Sequence, residues 1–304
     1  MAESSITRLR YVAMATPDFD KAAAFYGGIW GLKRTEDESN LAYFAAEGSP
    51  EQYVLRLRVG EDRRIDVIGF EAPDAAAVDR LAAKLAADGV RFASEPGALQ
   101  TPGGGYGFRF FDPEGRTIEV SSGVEERSYR EIEPEDPTPR SLSHVVLMTN
   151  DIKAIAAWYE EKLGFRVSDW IAEFFVFLRC SADYHSLAFM QSKHASLNHV
   201  SFETRGIDEV MRAMGRALKA DVPLRDGPGF FGNAQMAFAY FFDPSGYVTE
   251  YASPQLQVTD EASWKPRVWG MNETEQWGIS RGGENIPENA RNVPDPGLWV
   301  APPV

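Results

Sequence analysis

Short apolar runs followed by helical stripes organise this chain, and the arrangement occurs twice. The run Leu9 to Met14 turns at Pro17-Asp18 and leads into a stripe with Ala22, Phe25, Tyr26 and Ile29 on one face, ended by Trp30-Gly31-Leu32. A matching run begins at Leu142, passes Asp151, and continues as a helix carrying Ile155, Trp158, Tyr159 and Leu163, closed by Gly164. A second kind of unit follows in each half. Val67-Ile68-Gly69-Phe70 precedes a helix from about Asp74 to Gly89, with Asp74 as N-cap and Gly89 as C-cap. Its counterpart is His199-Val200-Ser201-Phe202 and a helix over about Asp208 to Ala220. Runs such as Tyr53 to Val59 and Phe174 to Leu178 lie between turn residues and read as strands. Strand, helix and about three strands thus recur four times. An α+β fold of curved, mostly antiparallel sheets with helices packed outside is expected.

The repeat can be aligned. Residues 10–26, RYVAMATPDFDKAAAFY, fall without a gap on 143–159, SHVVLMTNDIKAIAAWY, and FFDPEGRTIE repeats as FFDPSGYVTE. This divides the chain into a first domain, 1–122, a charged Pro-bearing linker, 123–140, a second domain, 141–255, and an irregular tail, 256–304. Trp264, Trp269 and Trp277 are spaced along that tail, and from Gly282 it is rich in Pro, Asn and Gly. Aromatic anchors on such a segment suit a cover over a site or a contact between subunits, so a homo-oligomer is expected.

Composition narrows the partners. The net charge of −14 over 304 residues argues against nucleic acid and anionic membranes, which need clustered Lys and Arg. The single cysteine, Cys180, excludes an intrachain disulfide framework and suits a cytoplasmic protein; as a lone thiol it reads as a small buried residue. MAESSITRLRY has no apolar signal core, and no stretch approaches 18 apolar residues.

Candidate chemistry follows from the repeat. In register, His144 faces Tyr11, His199 faces Val67, and Glu250 faces Glu119. A full set of metal-binding side chains thus stands in the second half only. Two imidazoles and a carboxylate from three strands leave positions open on an ion, the arrangement of non-haem Fe(II) centres. Zn(II) and Mn(II) use similar ligands. A lone strand histidine is more often a hydrogen-bonded core residue, and Glu119 shows that the DPxGxxxE motif occurs without a His partner. Co-occurrence carries the metal reading, since three of the four histidines map to special positions of one half.

These residues resemble the type I extradiol ring-cleaving dioxygenases of the vicinal oxygen chelate (glyoxalase/bleomycin resistance/dioxygenase) superfamily. The likeness covers about residues 7–255. It rests on SHVVLMTND around His144, DYHSLAF around His185, LNHVSFE around His199, and GPGFFGNAQMAFAYFFDPSGYVTEY ending past Glu250. PRVWGMNETEQWG in the tail resembles the homoprotocatechuate branch. The resemblance implies tandem βαβββ modules, two per domain, in curved mixed sheets, with an empty N-terminal domain. It implies Fe(II), with Mn(II) as the alternative ion, held by His144, His199 and Glu250, and a small aromatic diol and O2 as substrates. His185 would be the acid–base residue, Tyr240 a hydrogen-bond partner of a substrate oxygen, and Asn233, Val146, Phe177 and Phe231 pocket positions. The family loop usually reads GPGRHG; here Phe230 and Phe231 replace its Arg and His, which points to a less polar or differently substituted ring. Alternatives are a hydroquinone- or aminophenol-cleaving dioxygenase, a metal-dependent isomerase of the glyoxalase type, and a non-catalytic ligand-binding protein. Glyoxalase sites usually draw four protein ligands, and no fourth candidate stands at a matching strand position.

Overall fold

The computed structural model describes residues 6–134, 136, 138–279, 286–290 and 292–303. Met1 to Ser5, and Gly282 at the start of the Pro-rich end, lie outside the described residues. The first half contains β1 (Arg8–Thr16), α1 (Phe19–Ala24), β2 (Lys33–Glu38), β3 (Leu41–Ala45) and β4 (Leu55–Val59). It continues with β5 (Arg64–Glu71), α2 (Ala75–Ala87), β6 (Phe92–Ala98), β7 (Tyr106–Phe111) and β8 (Thr117–Ser122). The second half repeats this order as β9 (Ser141–Thr149), α3 (Ile152–Leu163), β10 (Arg166–Ile171), β11 (Phe175–Arg179) and β12 (Leu187–Gln191). Then follow β13 (Ser196–Glu203), α4 (Ile207–Lys219), β14 (Leu224–Phe231), β15 (Met236–Phe242) and β16 (Val248–Ala252). The tail adds β17 (Arg267–Trp269) alongside β10.

The fold is α+β, built from four βαβββ modules. Sheet order is β2-β3-β4-β1-β5-β8-β7-β6 in the first half and β14-β15-β16-β13-β9-β12-β11-β10-β17 in the second. Each opening strand pairs in parallel with the last strand of its own module, as β9 does with β12 and β13 with β16. The two opening strands of a half pair antiparallel, β1 with β5 and β9 with β13. Both sheets are therefore mixed, and the paired opening strands form their centre.

Local sequence accounts for the helix ends. The Asp74 and Asp151 carboxylates accept from the backbone N–H three residues on, at 2.7 and 3.0 Å, and Gly164 closes α3 with φ +76°. The first stripe is not one α-helix. After Ala24 the backbone widens into a π-helical turn, Phe25–Ile29, at the helix-weak pair Gly27-Gly28. Trp30, fully buried, follows that turn. Its ring stacks on Tyr251 of the second half, with centroids 3.7 Å apart. Among the described residues no helix is long and apolar enough to cross a membrane.

The recurring FFDP segment has a structural cause. Asp243 Oδ1 accepts from the N–H groups of Ser245 and Tyr247, and its Oδ2 accepts from the Tyr26 hydroxyl of the other half at 3.1 Å. Asp112 does the same for Glu114 and Arg116, and its Oδ2 accepts from Tyr159 across the interface at 3.2 Å. Each half thus inserts the tyrosine of its first helix into the turn of the other. Asp243→Ala should lower unfolding stability by about 2–4 kcal/mol, because several buried donors lose their acceptor. Tyr26→Phe, which removes one donor, should cost about 1 kcal/mol. Chemical denaturation of the two variants measures the difference; equal losses would show that the carboxylate does not hold the turn.

Candidate metal centre

The strands β16, β13 and β9 are neighbours, and their register explains why distant residues meet. Glu250 lies opposite Ser201, and Ser201 lies opposite His144. His199, two residues before Ser201, shares its face. Tyr240 on β15 stands opposite Glu250 and extends the row. His144, His199 and Glu250 form the one group of three His, Cys, Asp or Glu side chains with metal-binding spacing among the described residues.

The three ligating atoms are close. His144 Nε2 is 3.0 Å and His199 Nε2 3.3 Å from the same oxygen of Glu250, and the two Nε2 atoms are 3.4 Å apart. Their other ring nitrogens are engaged. His199 Nδ1 meets the Asn198 side-chain oxygen at 2.7 Å, an acceptor that can keep a proton on Nδ1 when Nε2 is given to a metal. His144 Nδ1 meets Ser143 Oγ at 3.0 Å. Burial lowers His199 to about 4, so it is neutral near pH 7. Burial would push the Glu250 carboxyl up, but His144 and His199 outweigh it and hold the group well below the usual carboxylate range. Glu250 is therefore a buried anion.

These residues fit a divalent ion. Both Glu250 oxygens are buried without a hydrogen-bond donor. Ligands bound at about 2.1 Å stand about 3.0 Å apart at right angles and about 3.4 Å apart at tetrahedral angles. The observed edges span that range. Two nitrogens and one carboxylate oxygen suit Fe(II), Mn(II) or Zn(II), and the ligand set alone does not choose among them.

Around this cluster lies a cavity of about 250 Å3. His144, His199, His185, Tyr240, Asn198, Arg225 and Asp226 line its polar part. Val146, Phe177, Phe231, Ile171, Phe174 and Phe175, with Met190, Ala234, Met236 and Met271, line the rest. The His185 ring is 4.0 Å from that of His144, and its buried Nδ1 has no hydrogen-bond partner. Burial, followed by the neighbouring His144, lowers His185 well below the ordinary imidazole value. Burial and then Glu250 raise Tyr240, which keeps its hydroxyl protonated. Asn233 lies behind the wall, where its amide donates to the Tyr184 hydroxyl at 3.1 Å. Sequence reasoning passed over Ser143 and Asn198, yet each directly precedes a ligand histidine, a signal that could have found them. It also passed over Met271, which reaches the cavity from the tail, and Arg225, whose guanidinium lies 5.6 Å from the Tyr240 ring centre.

The same place in the first half is filled. Tyr11 and Val67 stand where the ligand histidines do, and Arg109 takes the position of Tyr240. Arg109 Nε is 2.9 Å from Glu119, and both are buried. Tyr53, which the ladders place in register with His185, packs on Tyr11 at 4.7 Å between ring centres. A guanidinium thus neutralises Glu119, and tyrosine rings occupy the remaining volume.

The chain matches the model of the Glyoxalase/Bleomycin resistance protein/Dioxygenase superfamily over residues 8–120 and 141–251. It is 26% identical to the manganese-dependent 2,3-dihydroxybiphenyl 1,2-dioxygenase of Geobacillus genomosp. 3, across 93% of this chain and 96% of that one. It is 27% identical to the iron-dependent extradiol dioxygenase of Rhodococcus jostii strain RHA1, across 88% and 97%. Its fold superposes on the Mn(II)-bound glyoxalase from Novosphingobium aromaticivorans with a TM-score of 0.91 and 37% identity, covering 97% of this chain and 98% of that one. The chain therefore belongs to the Glyoxalase/Bleomycin resistance protein/Dioxygenase superfamily, with extradiol dioxygenases among its relatives over most of its length.

Proposed function

We propose that this protein is an extradiol dioxygenase that uses Fe(II) or Mn(II) to open the ring of a catechol-like aromatic with O2, next to the diol. One observation carries the reading: two imidazoles and a buried anion converge at one end of an apolar cavity, with His185 and Tyr240 beside them. The dioxygenase relatives from Geobacillus and Rhodococcus support it. His144, His199 and Glu250 would hold a divalent ion, which would supply Lewis acidity toward the hydroxyls of the diol.

The remaining steps belong to the chain. His185 lines the cavity with its Nδ1 free of any partner, which places its imidazole to take a proton from the substrate and return it to the product. Tyr240, protonated, donates to a ring oxygen and fixes the orientation of the diol. Phe177, Val146 and Phe231 hold the ring faces and exclude water. A benzene ring fills a cavity of about 150 Å3, so the cavity of about 250 Å3 here has room for a ring with its oxygens. Phe174, Phe175, Met236 and Met271 surround the apolar part, which favours an apolar group over a second hydroxyl. Asn233 acts through Tyr184 in shaping the wall. The tail closes the cavity from outside. Thr274 accepts from the Gly232 N–H, the Gln276 N–H donates to the Phe230 carbonyl, and Trp277 stacks on Phe230.

The name of the Novosphingobium relative favours a second reading, a metal-dependent isomerase of the glyoxalase kind, which needs no dioxygen. Oxygen uptake separates the two. Protein loaded anaerobically with Fe(II) or Mn(II) should consume O2 with an alkyl- or aryl-substituted catechol and give a yellow ring-opened product. No uptake across a panel of catechols, hydroquinones and aminophenols would remove the dioxygenase reading.

Three sets of variants test the roles. His144→Ala, His199→Ala and Glu250→Ala should each lose the single ion bound per chain, measured by metal analysis after desalting; full occupancy in any of them would refute its assignment as a ligand. His185→Phe should keep the ion and slow turnover by roughly a hundredfold, whereas an unchanged kcat would leave His185 a packing residue. Phe231→His should shift preference toward unsubstituted catechol in a comparison of kcat/KM values. An unaltered profile would show that Phe231 does not meet the ring.

A further inference from the structure

Beside the cluster lies a buried polar side chain that neither belongs to the metal-ligand set nor lines the cavity. Gln255, three residues beyond β16, is only 5% exposed. Its Oε1 accepts from the His185 N–H at 3.0 Å, and its Nε2 donates to the His185 carbonyl, also at 3.0 Å. His185 precedes β12 and has no ladder partner of its own. The Gln255 amide therefore serves both backbone groups of His185, as an adjacent strand would. The same Nε2 donates to Ser143 Oγ at 3.0 Å, and Ser143 Oγ faces Nδ1 of the ligand His144 at 3.0 Å. A single carboxamide thus ties the support of one ligand to the backbone of the residue whose ring lies 4.0 Å from it.

The first half shows that the scaffold does not itself require this link. In register, Val124 stands for Gln255, Arg10 for Ser143 and Tyr53 for His185, and Arg10 is paired with Glu51. The tie is present where the ligand set is complete and missing where it is not. We propose that Gln255 is a positioning residue that fixes His185 relative to the ligand His144. Its effect on turnover rests on the dioxygenase reading; its effect on metal binding does not. The role needs an acceptor and a donor on one planar group. Glu keeps only the acceptor, and Met keeps neither.

The test uses the full chain. Gln255→Met should weaken divalent-ion affinity about tenfold, measured by competition with a chromogenic chelator, because Ser143 is no longer held against His144. Gln255→Glu should weaken it in the same direction, which covers the case in which the methionine variant does not fold. At saturating metal, Gln255→Met should lower kcat about tenfold with KM little changed. In a His185→Phe background it should lower kcat less than twofold, since the residue it positions is gone. In Zn(II)-loaded protein the imidazole NMR signals of His185 should move, while those of His194, which bonds Asn292 on the tail, should stay. Metal affinity within twofold of the parent, an unmoved His185 signal, or an equal kcat loss in both backgrounds would overturn the proposal. If the parent consumes no O2, the dioxygenase reading fails, and the chelator and NMR measurements still decide the role of Gln255.

Discussion

A carboxylate buried in a sheet costs several kcal/mol unless a cation stands beside it, and this chain meets that cost twice in different ways. Glu119 and Glu250 occupy the same position in the two halves, both fully buried. Beside Glu119 lies Arg109, a permanent cation supplied by the next strand. Beside Glu250 that strand supplies Tyr240 instead, and two imidazoles approach from the other side. One half has a charge that cannot leave; the other has a place for one that can be exchanged and can carry substrates. The difference between a scaffold and a reactive centre here rests on a few side chains in an otherwise shared frame.

That frame explains which repeated motifs carry function and which do not. The aspartates of the two FFDP segments are each spent on their own turn and on a tyrosine from the opposite half. The exchange is reciprocal, so each domain completes a turn of the other. Stacking of Trp30 on Tyr251 and the edge-to-face contact of Phe70 with Phe165 continue the same interface. The strand bearing Glu250 is thereby braced from behind by the first domain, next to the face on which the ligands meet.

The departure from the usual loop also finds a physical place. Phe231 lines the cavity and stacks on Phe238, with centroids 4.2 Å apart. Phe230 turns outward and stacks on Trp277 of the tail. A Cβ on Gly232 would lie 1.9 Å from the far end of the Gln276 side chain, which would have to move aside. Two aromatic residues in sequence thus serve two surfaces, the cavity wall and the tail segment that packs on the loop.

Much of this was legible in the residues. Periodicity marked the helices, Asp74 and Asp151 marked helix starts, and the gapless repeat marked four modules and the three ligands present in only one half. Those signals are local, or are comparisons of the chain with itself, and need no coordinates. Other features depend on partners far away in sequence. Nothing near Tyr26 shows that its hydroxyl reaches Asp243, 217 residues on. The π-helical turn after Ala24 departs from a stripe that reads as one continuous helix. Arg109 could be aligned with Tyr240, but only the fold brings its guanidinium onto Glu119. Gln255 carries no motif, and its role exists only because β9 and the segment before β12 run side by side. Sequence patterning determines which elements form and which residues share a face; the register between strands decides which of those residues touch, because that is where distant donors and acceptors are matched.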